Sequence, residues 1–118
     1  RSDEAMEHLL AAIKSRLDYW WTIKELCDMC NISDDQLRRW FLAHTGMLPK
    51  NYIEQLKLTK GAELLVAGAL SIGAIAKRLG YQDQFHFSRR FKNFTGSSPN
   101  DYRREYSVLN LRPEDDIV

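Results

Sequence analysis

Cysteine is scarce in this chain of 118 residues, with only Cys27 and Cys30. Two are too few for a disulfide scaffold, and a cytoplasmic location is the default expectation for such a chain. Long apolar runs are missing as well. The longest stretch without a charge, Leu64 to Ala76, has 13 residues and includes Gly68, Ser71 and Gly73. A membrane span needs about 18 or more apolar residues, so no membrane partner is expected. The N-terminal Arg-Ser-Asp-Glu leads into no apolar run, so no secretory signal is visible. The absent initiator Met points to a processed chain or an excised fragment. No segment alternates apolar and polar residues over the length of a strand. What remains is ordinary globular composition, 44% apolar and 28% charged, which excludes a disordered or collagen-like chain. At this length folding hides roughly two-thirds of the unfolded surface, so a core needs no covalent staples.

The net charge of +1 conceals an uneven distribution. Residues 1–35 sum to −4, 36–76 to +3, 77–104 to +5, and 105–118 to −3. A basic middle between acidic ends fits a polyanion partner. On charge alone it fits a set of solvated helix faces equally well.

The apolar periodicity is helical nearly throughout. Met6, Leu9, Leu10, Ile13 and Leu17 recur at helical spacing, with Ser2 or Asp3 placed to cap the start. Thr22 can cap a short helix in which Ile23, Leu26, Cys27 and Cys30 share a face and which Asn31 ends. Ser33 can cap the next, with Leu37, Trp40 and Phe41 inward and a stop near Gly46. Pro49 suits the start of a longer helix that runs to about Ala67. Gly61 interrupts it at a cost of about 1 kcal/mol relative to Ala, which points to close packing there.

An internal repeat organises these segments. Thr22-Ile23-Lys24-Glu25-Leu26-Cys27 aligns with Ser71-Ile72-Gly73-Ala74-Ile75-Ala76, and Cys30-Asn31-Ile32 with Leu79-Gly80-Tyr81. After one extra residue, Gln82, Ser33 falls on Asp83, Leu37 on Phe87, Arg39 on Arg89 and Phe41 on Phe91. Thr45-Gly46-x-x-Pro49-x-x-Tyr52 recurs as Thr95-Gly96-x-x-Pro99-x-x-Tyr102. Each copy reads as a capped helix, a tight turn and a second capped helix, which is a helix-turn-helix. The expected architecture is all-α, with two helix-turn-helix subdomains joined by a long linking helix. Residues 1–52 hold an N-terminal helix and the first unit, 53–67 the linking helix, 68–106 the second unit, and 107–118 an acidic tail.

The second copy carries Ile75-Ala76-x-x-Leu79-Gly80-Tyr81-x-Asp83-Gln84-x-x-Phe87-Ser88-Arg89-x-Phe91-Lys92, then Gly96-x-x-Pro99-x-x-Tyr102-Arg103. At these residues the chain resembles the DNA-binding domain of the AraC/XylS transcription regulators, over about Thr22 to Arg104. The resemblance implies a partner in double-stranded DNA, with each unit placing one helix in the major groove. It also implies promoter activation through RNA polymerase, and a sensor or dimerisation domain outside this chain. Three residues depart from the family pattern: Cys27 and Gly61 stand where Ala is usual, and Lys57 where Arg is usual.

A helix-turn-helix reads bases through the N-terminal part of its second helix. In the second unit this points to Gln84, His86, Ser88 and Arg89 as base readers, since Gln pairs bidentately with adenine and Arg with guanine. The first unit offers Asp35, Gln36, Arg38 and Arg39 in the same part of its second helix. Ser33, Lys50, Arg90 and Lys92 suit phosphates. Asp34 and Asp35 stabilise the first turn of their helix but repel phosphates nearby. A linking helix from about Pro49 to Ala67 is roughly 28 Å long at 1.5 Å per residue, and adding the offset of the units themselves brings their expected separation near the ~34 Å of one DNA turn.

Other chemistry finds no support in the residues. Cys27-x-x-Cys30 lacks two further ligands at zinc spacing and lies near no βαβ pattern, so it reads as core packing. His86 has no partner carboxylate or nucleophile at catalytic spacing, and Glu54 and Glu63 fall on opposite helix sides. Neither an enzyme activity nor a cofactor is expected. The competing class is a helical protein-interaction module that uses the same scaffold without reading DNA.

Overall fold

Capping residues set most element boundaries in the computed structural model, which describes residues 2–107. Its seven helices are α1 (Ser2–Ser15), α2 (Ile23–Cys30), α3 (Asp34–Thr45), α4 (Pro49–Ala67), α5 (Ile72–Arg78), α6 (Gln84–Thr95) and α7 (Pro99–Tyr106). Among the described residues there is no strand, and no helix is long and apolar enough to cross a membrane. The chain divides into two compact units inside α4, between Leu56 and Lys57. Of the acidic tail expected at 107–118, all but Ser107 lies outside the described residues.

The caps follow side-chain chemistry. Thr22 accepts from the Glu25 amide while the Glu25 carboxylate accepts from the Thr22 amide, a reciprocal box that starts α2. Ser33 and Gln36 repeat it at α3. Ser71, Asp83 and Ser98 cap α5, α6 and α7 by accepting from the amides of Ala74, His86 and Asp101. Gly46 at φ 75° and Gly96 at φ 88° end α3 and α6 in the left-handed region. A side chain there would be strained, and glycine is not.

The repeat extends to packing. In unit 1, Thr45 Oγ1 lies 2.6 Å from the Phe41 carbonyl and accepts from the Met47 amide at 3.0 Å. In unit 2, Thr95 does the same with Phe91 at 3.0 Å and Ser97 at 3.1 Å. Phe41 meets the edge of Tyr52 at 5.9 Å between ring centres, and Phe91 meets Tyr102 at 5.2 Å. The core of unit 1 is Met6, Leu9, Ile13, Leu26, Cys27, Leu37, Phe41 and Ile53. Unit 2 buries Leu65, Ile75, Leu79, Phe87 and Phe91 completely or nearly so.

Two details of α1 differ from the sequence expectation. The helix ends at Ser15, so Leu17 lies beyond it. Asp3 sits inside the first turn rather than capping it, and its carboxylate accepts from His44 Nε2 at 2.7 Å. His44 Nδ1 faces the Trp40 carbonyl at 2.9 Å, so both ring nitrogens meet acceptors. That geometry favours the imidazolium. The Asp3 carboxylate and the Trp40 carbonyl raise the His44 pKa above 6.5, and His44 lowers that of Asp3 below 3.8. The raised His pKa stabilises the folded chain fully below 6.5 and less as pH rises through the folded value. The depressed Asp pKa stabilises it above 3.8 and less as pH falls through the folded value. His44→Gln is therefore expected to lower the melting temperature more at about pH 5 than at about pH 8.5. Equal losses at both would show that the pair does not tie α1 to α3.

Candidate nucleic-acid interface

The second helix of each unit turns one face to its core and leaves the other to solvent. In α3, Leu37 and Phe41 are buried, while Asp35, Arg38 and Arg39 are exposed. Arg38 lines a shallow recess of about 320 Å³ together with Asp34 and Lys50, so the structure brings a candidate base reader from α3 beside a phosphate candidate at the start of α4. Asp35 lies 3.9 Å from Arg39 one turn on, an exposed pair worth little in stability.

Three first-unit candidates already have structural work. Gln36 is exposed, but its carboxamide oxygen accepts from the Ser33 amide at 3.4 Å. Reading adenine bidentately would require it to leave that cap. The Ser33 hydroxyl accepts from the Gln36 amide at 3.2 Å, which leaves its own proton available to donate. Asp34 accepts from the Cys27 thiol at 3.3 Å, which takes its carboxylate toward α2 and weakens the expectation of phosphate repulsion at that residue.

In α6, Phe87 and Phe91 are fully buried. Gln84, Arg89, Arg90 and Lys92 are exposed, and His86 and Ser88 are half-buried. His86 packs edge-on against Tyr81 at 5.3 Å. A Cβ on Gly73 would stand 3.0 Å from Gln84 Oε1, so that carboxamide lies across the start of α5. From Asp83 to Lys92 the charges sum to +2, against zero from Ser33 to Phe41. The second unit therefore presents the more cationic second helix.

Cys27 is buried in the core of unit 1 and the half-buried Cys30 packs against it. Burial pushes both thiols above their ordinary value, and the Asp34 carboxylate adds to the effect at Cys27. A thiol held in its neutral form is a poor nucleophile.

A family model of the helix-turn-helix domain matches residues 26–105. The chain belongs to the AraC-type helix-turn-helix family. The transcriptional activator RhaR of Cronobacter sakazakii is 32% identical to this AraC-type domain over 106 residues, 90% of this chain and 38% of that protein. The C-terminal domain of AraT, a response regulator from Geobacillus stearothermophilus, superposes with a TM-score of 0.81 at 30% identity, covering 88% of this chain and 87% of that one. The DNA-binding domain of AdpA, solved in complex with a target DNA, shares the fold with a TM-score of 0.78 at 23% identity, covering 85% of this chain and 90% of that one. The chain spans about a third of the length of the curated relatives it matches.

Within the AraC-type frame the departures have local explanations. Lys57, where Arg is usual, is fully buried and donates from Nζ to the Leu79 carbonyl at 3.1 Å, holding the turn of the second unit. Gly61, where Ala is usual, faces the Phe87 ring, and a Cβ there would stand 3.1 Å from it. Cys27, where Ala is usual, places its thiol on Asp34. Arg103, in the signature Tyr102-Arg103, donates to the carbonyls of Leu65 and Leu70 and so fixes the loop after α4. One exposed residue of α6 escaped the sequence analysis. Phe85, the second residue of α6, is 65% exposed. Its signal was available, because it is out of phase with the Phe87 and Phe91 stripe.

Proposed function

We propose that this AraC-type domain binds double-stranded DNA sequence-selectively and regulates transcription, with α3 and α6 as its reading helices. The observation that carries the proposal is the duplicated helix-turn-helix, whose second helices are packed on one face and bear exposed Arg and Lys on the other. Arg38, Arg39 and Arg89 offer the donor fork that guanine accepts, and Asp35 an acceptor for the amino group of cytosine. Lys50, Arg90 and Lys92, all exposed, are assigned to phosphates. Gln84, His86 and Ser88 complete the base-reading set, with Gln36 joining it once its carboxamide leaves the Ser33 cap. Activation through RNA polymerase, with a sensor or dimerisation domain supplying the signal, extends the proposal to the intact regulator. It draws on the activator name of a relative whose length this chain only partly spans.

Arg89 and Lys92 separate base reading from phosphate contact. Arg89→Ala is expected to cost about 1–3 kcal/mol of binding and to relax the choice at one base pair. Lys92→Ala should weaken all sequences alike and reduce the salt slope by roughly one. Affinities of both variants for duplexes selected from a random pool give the comparison. Identical sequence profiles would overturn this division of labour. Footprinting on the selected duplex should show two clusters of protected bases. Protection of a single groove would leave one unit with a structural role.

A further inference from the structure

We infer that Phe85 is a specificity-determining residue, whose ring meets the 5-methyl group of a thymine in the groove read by α6. The inference rests on the proposed DNA binding and assigns one base contact within it. At 65% exposure Phe85 is the most exposed of the large apolar side chains among the described residues, ahead of Tyr106 at 52%. The core does not require it, since Phe87 and Phe91 fill the inward stripe of α6 at 0% exposure. Its place in the helix is specific. Asp83 caps α6, so Phe85 stands in the first turn, the part of a reading helix that lies closest to base edges.

Its neighbours on the helix surface define the face. Ser88, Arg89 and Lys92 follow at three, four and seven residues, so all four side chains project from one side. That side carries the cations that phosphates attract, which favours a nucleic acid duplex over an apolar protein surface as its occupant. Side chains one helical turn apart are about 5–6 Å apart, less than two base-pair rises of 3.4 Å. Phe85 and Arg89 would thus address bases one or two steps apart.

Chemistry selects the base. Phe has neither donor nor acceptor, so against guanine, cytosine or adenine it buries polar edges without replacing their hydrogen bonds. Thymine alone offers a methyl group in the major groove. In the repeat alignment the residue at this position of the first unit is Asp35, an acceptor suited to cytosine. The two half-sites therefore differ in kind, and the recognised sequence is not a direct repeat.

The test uses the full chain and a duplex selected from a random pool, with each thymine replaced in turn by deoxyuridine, which lacks only the methyl. For the wild type one replacement should weaken binding about fourfold, the worth of one methyl-sized contact. For Phe85→Ala the same replacement should change nothing, and the variant should bind the thymine duplex about as weakly as the wild type binds the uracil one. Melting temperatures of the two proteins should agree, because the side chain is exposed. Wild-type indifference to every replacement, or undiminished sensitivity in Phe85→Ala, would overturn the inference while leaving DNA binding intact. Loss of self-association in Phe85→Ala with DNA affinity unchanged would make the residue a protein contact and overturn it too. Failure of the wild type to enrich any sequence would remove the DNA-binding proposal itself, a result distinct from the others.

Discussion

Phe87→Ala is expected to destabilise the second unit by about 3–5 kcal/mol, the range for emptying a fully buried aromatic site. The ring is 0% exposed and packs on Tyr81 at 5.4 Å and Phe91 at 5.6 Å between ring centres. A further wall is the backbone of α4 at Gly61, where even a methyl group would crowd it at 3.1 Å. A helix backbone cannot collapse into the space the way a flexible side chain can, so the cavity should persist. The measurement has a built-in control. All three tryptophans, Trp20, Trp21 and Trp40, lie in unit 1. Fluorescence therefore follows unit 1, whereas far-ultraviolet circular dichroism follows both units. Denaturant curves should show the circular dichroism transition moving earlier while the fluorescence midpoint moves less. A loss below about 1 kcal/mol would contradict the packing described for α6. Phe85→Ala, only two residues away, should stay within about 0.5 kcal/mol of wild type.

Raising salt from about 50 to 200 mM should weaken DNA binding about 40-fold if Lys50, Arg90 and Lys92 each neutralise one phosphate, since each contact contributes about −0.9 to the slope of log K against log salt. The domain's total charge of +1 gives no hint of this. The effect depends on where the cations stand, on α6 and at the start of α4, while the acidic residues concentrate in the first 35 positions. Additional contacts from Arg38, Arg39 or Arg89 would steepen the slope further. A nearly flat salt response would instead support the protein-interaction class, because apolar association carries no counterion release. Titrations of one fluorescent duplex at four or five salt concentrations decide between them.

Local rules made much of the fold legible in the sequence. The starts at Thr22, Ser33, Pro49 and Asp83 and the stops at Asn31 and Gly46 depend on neighbours within a few residues, and each was readable from chemistry alone. The repeat then supplied the long-range organisation, because two copies with matching inward residues had to fold alike. Contacts between residues distant in the chain were not legible. His44 reaches Asp3 across 41 positions, and Lys57 reaches the Leu79 carbonyl across 22. Neither pairing leaves a periodic trace. At the candidate interface, sequence placed the reading helices but not the competing duties of their side chains. Gln36 looked like an adenine reader because its position faces outward, and the cap that holds it is also a local pattern, Ser followed three residues later by Gln. Phe85 was passed over because an aromatic residue beside Phe87 looks like core until its phase is counted.

Helix α4 carries the boundary between the units within its own length, and this bears on how the protein can be divided for study. Its Ile53 belongs to the core of unit 1, while Lys57, Leu58, Gly61 and Leu65 belong to unit 2. A fragment begun at the loop after α4 would keep both helices of the second helix-turn-helix, yet lose the donor to the Leu79 carbonyl and the wall behind Phe87. A fragment ended at Leu56 would leave the first unit with the carbonyls of a truncated helix end exposed to water. The second half needs α4 from Lys57 onward, so a piece meant to hold the second unit should begin within the helix, at or before Lys57, rather than in the loop after it.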